Sequence, residues 1–466
     1  MNNTKTINLY IAIVNLFFMF FIFIFSLSNN NLYTASLIAF LSFTIFIFSH
    51  FLTKGKVLDI YFIFVVLTYL FHFGQLFLLV FNFDIILPDK FNILRYDSNI
   101  IVESTYFALF LTKIIEITGQ FYKLFHNNSK IFLNENAISK YSTKRDFGFF
   151  SLMLLITIIP YFYVDITQIF LSQQFGYVEA YKFGNAYILS ILNNMFLIVF
   201  IGFVITHKNK LLGKYILISF IFWNVFKMLM VGNRSLPMAI ILMCIFIYYY
   251  YFKYSFRRLK VTHLIFILLL LLLLPYIAQI RNVTGSNSIV SNFIFYISYN
   301  NPLIYMFSEF GGTLLTLIHT FEFVPESIQY ANGLTYLGST MILLPFSSIL
   351  FGDFFNQYIS IGENMNTFFG GGLGGSYVAE LYYNFGYFSL ISGIFISLIL
   401  NKISIKFREN GLSKKPMNVT LFFYLLIPLF IYPRGYFYTF ITYFNVYIYV
   451  YVIYFFYTKI LYIKGN

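Results

Sequence analysis

The chain carries a series of apolar stretches, each long enough to cross a lipid bilayer as a helix. The hydrocarbon core of a membrane requires roughly 17–25 apolar residues per helix. These stretches predict an all-α polytopic membrane protein that forms one integral membrane domain over residues 1–466. About 12 transmembrane helices are predicted, at residues 7–27, 33–52, 57–81, 99–121, 147–170, 187–206, 212–230, 235–252, 261–279, 377–400, 418–433 and 436–458.

The composition supports this class and excludes others. Hydrophobic residues make up 59% of the chain and charged residues only 10%, whereas charged residues alone approach a quarter of a soluble protein. The net charge of +13 does not indicate nucleic-acid binding, because the basic residues lie in short loops and form no clustered basic face. Cys244 is the only cysteine, which excludes a disulfide framework or a cysteine-based metal site within one chain.

The basic residues in the short loops predict the orientation. If the N-terminus is cytoplasmic, most of the 30 Lys and Arg residues fall on the cytoplasmic side, as the positive-inside rule requires. We therefore expect both termini in the cytoplasm. One long loop, residues 280–376, is expected on the outer face, which is the periplasm in a Gram-negative cell, and to contain short surface or re-entrant helices. The first apolar stretch has no small-residue cleavage site and is expected to be retained.

Three arginines are expected at the outer ends of helices, where the orientation rule gives no reason for them: Arg234, Arg281 and Arg434. Each lies beside a Gly, Pro or Asn that interrupts a helix. A guanidinium binds phosphate through two parallel hydrogen bonds and stays charged, so the three together indicate a diphosphate site. For any single arginine, snorkelling toward lipid headgroups explains the position equally well. Lys227, two turns before Arg234, is expected to face the same cavity.

Glu380 is the strongest acidic candidate. Ser376, Glu380 and either Tyr383 or Asn384 follow the spacing i, i+4 and i+7 or i+8, so they are expected to share one helix face. A carboxylate within a membrane helix is unfavourable unless it faces a wet cavity or a cation, and it is therefore a functional candidate. A structural ion pair with one of the arginines is the alternative.

Two further candidates lie in the long loop, Glu309 and His319. Glu309 begins a polar stripe with Thr313, Thr316 and Thr320. This spacing is typical of a helix on the membrane surface, and the stripe is expected to be a solvated face rather than a site.

Five glycines, at 370, 371, 372, 374 and 375, precede the helix of Glu380. They indicate a close backbone approach or a mobile loop. They do not indicate a nucleotide site, because the run lacks the Lys-Ser/Thr ending of a phosphate-binding loop and follows no strand. An enzyme on the outer face needs a substrate that arrives already activated, and a sugar on a polyprenyl diphosphate meets that requirement.

In layout and motifs the chain resembles the Wzy-type oligosaccharide repeat-unit polymerases, which include the O-antigen polymerases. The resemblance depends on GNRS at 232–235, Arg281 at the start of the long loop, the LLP segment ending near Gly352, the run GLGGSYVAELYYNFG ending at Gly386, and PRG at 433–435.

The resemblance implies a glycosyltransferase of the inner membrane without metal or other cofactor. It would move a growing glycan from polyprenyl diphosphate to the nonreducing end of the next lipid-linked unit. Arg234, Arg281 and Arg434 would stabilise the diphosphate, and Glu380 is the best candidate for the general base, with His319 and Glu309 as alternatives. The residues that would line the substrate site are Lys227, Glu309, His319, Ser376 and Asn384. The partners implied are lipid-linked oligosaccharides as donor and acceptor, membrane lipids, and a protein that measures chain length.

Two other functions fit parts of the pattern. A flippase of the same lipid-linked unit has a similar number of helices, but we expect it to have short loops and cations within its helices. An O-antigen ligase has a similar long loop and arginines, so the layout alone separates it poorly from a polymerase. The GNRS and AELYYNFG runs favour the polymerase.

Overall fold

A computed structural model shows the fold, and every regular element in the part of the chain that it describes is a helix. That part comprises residues 3–28, 31–53, 55, 58–87, 91–125, 144–175, 180, 183, 187–207, 209–233, 235–252, 301–344, 350–352, 374–409 and 415–464. Its α-helices are α1 (Asn3–Ser28), α2 (Leu32–Leu52), α3 (Ile60–Val80), α4 (Ser98–Phe125), α5 (Lys144–Phe175), α6 (Tyr187–Thr206), α7 (Lys210–Val231), α8 (Ser235–Ile247), α9 (Pro302–Gly311), α10 (Leu314–Phe323), α11 (Leu334–Met341), α12 (Tyr377–Phe385), α13 (Ser392–Glu409), α14 (Pro416–Ile431) and α15 (Phe437–Lys464).

Eight helical segments among the described residues are long and apolar enough to cross a membrane, so the chain is a multi-pass membrane protein, as predicted. They are Thr6–Ser28, Leu32–Leu52, Ile60–Val80, Lys144–Phe175, Lys210–Val231, Tyr377–Ile405, Pro416–Arg434 and Phe437–Ile460. Two shorter apolar helices, Ile191–Thr206 and Ser235–Ile247, also overlap predicted spans. The predicted helix at 261–279 lies outside the described residues. The total of twelve helices and the cytoplasmic location of both termini stay predictions.

Polar side chains fix where several helices begin. The Asp59 carboxylate accepts hydrogen bonds from the backbone N–H groups of Tyr61 and Phe62 at 2.9 and 3.4 Å, at the start of α3. The Asn209 side chain does the same for Leu211 at 3.0 Å, at the start of α7. Such caps satisfy N–H groups that have no partner inside the helix, so the local sequence defines the helix starts.

The chain divides into two compact units. The first comprises Met1–Ile131, Leu303–Glu409 and Tyr432–Ile441, and the second comprises Phe132–Pro302, Asn410–Ile431 and Thr442–Asn466. The expectation of a single membrane domain over the whole chain stays a prediction.

The core of the first unit contains a buried ion pair on α4. Lys113 Nζ lies 2.6 Å from Glu116 Oε2, and both side chains are fully buried. Glu116 Oε1 accepts a hydrogen bond from the Tyr69 hydroxyl of α3 at 2.5 Å, and Lys113 donates to Asn15 Oδ1 of α1 at 3.2 Å. Buried charges need such partners because desolvation opposes them. The network therefore joins α1, α3 and α4 and fixes their positions relative to one another at this level.

Aromatic pairs join several helices of the second unit. In it α5 packs against α6 and α7, and α14 packs against α6 and α8. Tyr161 of α5 stacks on Phe196 of α6 with ring centroids 4.0 Å apart, and Phe200 of α6 lies 4.2 Å from Phe220 of α7. Large rings in contact bury much apolar surface, which accounts for the close packing of these helices.

Candidate active site around Glu380 and Arg434

The helix that carries Glu380 begins at a serine cap. Ser376 has an extended backbone, with φ −155° and ψ 121°, and its Oγ accepts a hydrogen bond from the N–H of Ala379 at 3.2 Å. The helix ends at Gly386, whose φ of +55° is readily adopted only by glycine. The sequence SYVAELYYNFG thus encodes one short helix, α12, with Glu380 in its first turns.

The Glu380 carboxylate is joined to the start of the last helix. Glu380 is fully buried, and its Oε2 accepts a hydrogen bond from the backbone N–H of Phe437 at 2.8 Å. Phe437 is the first residue of α15, where backbone N–H groups lack partners within the helix. The Thr335 hydroxyl lies close to the carboxylate, but Glu380 Oε1 accepts no hydrogen bond from any residue that the structure describes.

Arg434 lies in the short 3₁₀ turn Tyr432–Arg434, which comes just before α15. Its side chain is half-buried. Arg434 Nε and Nη2 lie 3.7 and 3.9 Å from the point where a Cβ on Gly374 would be. The Arg434 side chain contacts Gly374 at one end of the Gly374–Glu380 segment. The Phe437 N–H, just after the turn, bonds to Glu380 at the other end.

The expected close backbone approach is confirmed at Gly375. A Cβ at this position would lie 2.8 Å from Gly435 Cα and 3.2 Å from Arg434 O. No side chain fits at such distances, so glycine is required for the two segments to meet. The glycines at 370–372 lie outside the described residues.

The threonine stripe is buried, and the expectation of a solvated surface helix was wrong. Thr313, Thr316 and Thr320 are at most 2% exposed. The Thr316 hydroxyl donates to Gly374 O at 2.8 Å, and the Thr320 hydroxyl donates to Thr316 O at 2.6 Å. A threonine hydroxyl that bonds to a nearby carbonyl can be buried without an unpaired polar group. The stripe therefore packs inside the first unit, where Thr316 holds the Gly374 carbonyl. Glu309, at the start of the stripe, is half-buried in α9.

Asn384 holds a loop against α12. Its Nδ2 donates to Thr335 Oγ1 and to the Glu380 carbonyl, both at 2.7 Å, and its Oδ1 accepts from the Gly333 N–H at 3.0 Å. Ser376, Glu380 and Asn384 are fully buried, but every residue between them is buried too, so the predicted shared face of these three residues stays a prediction. The polar atoms of Asn384 are engaged by the protein itself.

His319 lies in α10 beside a carboxylate and an aromatic ring. Its Nδ1 is 3.1 Å from Glu322 Oε2, and its ring meets the Tyr96 ring edge-on at 4.9 Å between centroids. Burial lowers the pKa of the His319 imidazole, and the nearby Glu322 carboxylate opposes that shift. His319 is therefore a buried imidazole paired with the Glu322 carboxylate.

Lys227 pairs with an acidic residue in the second unit. Its Nζ forms an ion pair with Asp165 of α5, and the Trp223 indole donates to Asp165 Oδ2 at 2.8 Å. Lys227 is 7% exposed and Asp165 is fully buried. Arg234 and Arg281 lie outside the described residues, so the expected common cavity with Lys227 stays a prediction.

Sequence reasoning missed one residue of this region, His72. It is 1% exposed, and its Nε2 lies 2.9 Å from Ser376 Oγ. A lone histidine within an apolar helix was the only signal for it. Among the described residues, no three His, Cys, Asp or Glu side chains lie close enough together to hold a metal ion.

Comparison with known proteins places nearly the whole chain in one family. The model of the family described as O-antigen polysaccharide polymerase Wzy matches residues 9–466. No curated protein and no solved structure matches the chain. Because the family model covers nearly the full length, the chain belongs to the O-antigen polysaccharide polymerase Wzy family.

Proposed function

We propose that this protein polymerises lipid-linked oligosaccharide repeat units of a surface polysaccharide at the outer face of the bacterial inner membrane. The growing glycan would move from its polyprenyl diphosphate carrier to the nonreducing end of the next lipid-linked unit. Family membership supports the reaction class. The observation that carries the site is the hydrogen bond from Phe437 to Glu380, which joins the strongest acidic candidate to the turn of Arg434.

Arg434 is proposed to bind the diphosphate of the donor. Arg434 is half-buried, and its Nε and Nη2 lie next to Gly374. Arg281 and Arg234 lie outside the described residues and stay candidates for diphosphate binding. Fixed positive charge facing a leaving group stabilises the charge that develops in the transition state.

Glu380 is proposed as the general base. An acceptor hydroxyl oxygen forms the new bond to the anomeric carbon of the donor, whose bond to the diphosphate oxygen breaks. The hydroxyl proton passes to Glu380 Oε1, and polyprenyl diphosphate leaves with the bonding electron pair. Because Glu380 is fully buried, the acceptor must displace the side chains that cover Oε1. His319 and Glu309 stay as alternative bases on the same unit.

Ser376 and Asn384 are better assigned to positioning than to substrate contact. Both side chains are fully buried; Ser376 Oγ accepts from the Ala379 N–H, and Asn384 Nδ2 donates to Thr335 Oγ1. Lys227 forms an ion pair with the buried carboxylate of Asp165. This pair gives Lys227 a structural role, the neutralisation of a buried charge. A protein that measures chain length is part of the proposal as a partner in the membrane.

The test is the surface polysaccharide pattern of a strain that lacks this gene. A polymerase deletion leaves lipid A core carrying a single repeat unit, because export and ligation continue. Loss of every repeat unit from the core would contradict the proposal and favour a ligase or a flippase. Complementation with the intact gene must restore the long ladder.

A further inference from the structure

A chain of buried hydrogen bonds connects α3 to the first turn of α12. His72 Nδ1 lies 3.0 Å from the carbonyl oxygen of Thr68, and His72 Nε2 lies 2.9 Å from Ser376 Oγ. Ser376 Oγ in turn accepts from the Ala379 N–H at 3.2 Å. His72 is 1% exposed and Ser376 is fully buried, so water does not compete for these contacts.

The chemistry of the partners sets the direction of each bond. The Thr68 carbonyl can only accept, so Nδ1 carries the hydrogen and donates. Nε2 of a neutral imidazole is then an acceptor, and the Ser376 hydroxyl donates to it while its lone pair accepts from Ala379. In this arrangement every polar atom of both side chains has a partner, and no charge is buried.

A second contact joins the same two helices. The Tyr377 hydroxyl lies 3.4 Å from Thr68 Oγ1, and its ring meets the His72 ring edge-on with centroids 6.0 Å apart. The residue that caps α12 and the residue that follows the cap are therefore both held by one turn of α3. Glu380 comes one helical turn after that cap, with its N–H donating to the Ser376 carbonyl at 3.0 Å.

We propose that His72 is a positioning residue for the site: it fixes the rotamer of Ser376 and, through the first turn of α12, holds the Glu380 carboxylate on the Phe437 N–H. His72 acts through Ser376 and does not touch the substrate. The inference rests on the proposed function, since it concerns the geometry of the same site. This positioning role requires a hydrogen-bond acceptor for the Ser376 hydroxyl at the position that the imidazole Nε2 now occupies.

Two amide variants separate this role from a merely structural one. The Gln side chain in His72→Gln reaches the level of Nε2 and can offer an oxygen to Ser376. The Asn side chain in His72→Asn reaches only the level of Nδ1 and keeps the bond to Thr68 within α3. Ser376→Ala removes the linking hydroxyl.

The measurement is the rate of polymerisation by each purified variant in lipid vesicles, with a labelled lipid-linked repeat unit as substrate. We expect His72→Asn and Ser376→Ala to lower kcat roughly 10- to 100-fold with little change in KM, because misplacement of a reacting group acts on the chemical step. His72→Gln should retain most of the rate. The double variant H72N/S376A should be no slower than Ser376→Ala alone, since both changes break one chain.

Three results would overturn the inference: wild-type kcat in His72→Asn, a higher kcat in His72→Asn than in His72→Gln, or effects that multiply in the double variant. Glu380→Gln is measured in parallel. A fully active Glu380→Gln would refute only the assignment of Glu380 as the base. The coupling of His72 to Ser376 is tested separately, by the variants of those two residues.

Discussion

The Glu380 carboxylate accepts a hydrogen bond from the backbone N–H of Phe437 at 2.8 Å, across 57 positions of sequence. Phe437 opens α15, and Arg434 lies three residues before it. A carboxylate at a helix start satisfies an N–H group that lacks a partner within the helix. This bond therefore gives Glu380 a positioning role for the Arg434 turn in addition to the proposed role as base.

Glu380→Gln separates the two roles of this carboxylate. The amide oxygen of glutamine can still accept from the Phe437 N–H, but the amide cannot take a proton. We expect a loss of about 100-fold or more in the polymerisation rate, in keeping with general-base contributions, with a melting temperature near that of the wild type. Glu380→Ala should lose both the rate and part of the stability. A Glu380→Gln protein that makes normal polymer would show that the carboxylate only positions the turn.

Arg434→Ala should abolish polymer formation while the protein stays in the membrane, because the diphosphate loses a fixed cation. Arg434→Lys keeps the charge but cannot form two parallel hydrogen bonds, so it should retain partial activity with a raised KM for the donor. We expect the same outcome for Arg281→Ala as for Arg434→Ala. Near-normal polymer from both alanine variants, with equal protein in the membrane fraction, would remove the diphosphate assignment.

The apolar stretches predicted a multi-pass helical membrane protein, and residue spacing grouped candidate site residues, for simple physical reasons. Long apolar stretches have few alternatives in a membrane, and residues four apart on a helix share a face. The spacing groups Ser376 and Glu380 with Tyr383 or Asn384, but the structure buries every residue from Ser376 to Asn384 and so does not single out this face.

Contacts between distant segments could not be predicted in this way. His72 and Ser376 are 304 positions apart, and Lys227 and Asp165 lie on different helices with no local pattern that pairs them. The burial of Thr316 was missed because its hydroxyl bonds to Gly374 O, a carbonyl from another segment. Sequence periodicity assigns a polar residue to the exposed face of a helix, because it does not show a hydrogen-bond partner from a distant segment.

Gly375→Ala should distort the junction between the glycine segment and the Arg434 turn. The new Cβ would lie 2.8 Å from Gly435 Cα, a backbone atom that cannot rotate away. Overpacking of this kind costs about 1–3 kcal/mol, so we expect a lower melting temperature and a reduced polymerisation rate. Gly352→Ala is the matched control, because a Cβ there meets no described atom within 4 Å. Equal behaviour of the two variants would contradict the tight approach.

Lys227→Met tests whether the lysine contacts substrate or only neutralises Asp165. Removing one partner of a buried pair leaves the other charge uncompensated, which costs about 3–5 kcal/mol, so the single variant should be strongly destabilised. The double variant K227M/D165N removes both charges and keeps an acceptor for the Trp223 indole, which now donates to Asp165 at 2.8 Å. We expect its melting temperature and its polymer ladder to return close to those of the wild type. A double variant that is stable but makes no polymer would show instead that Lys227 binds the substrate, as the sequence predicted.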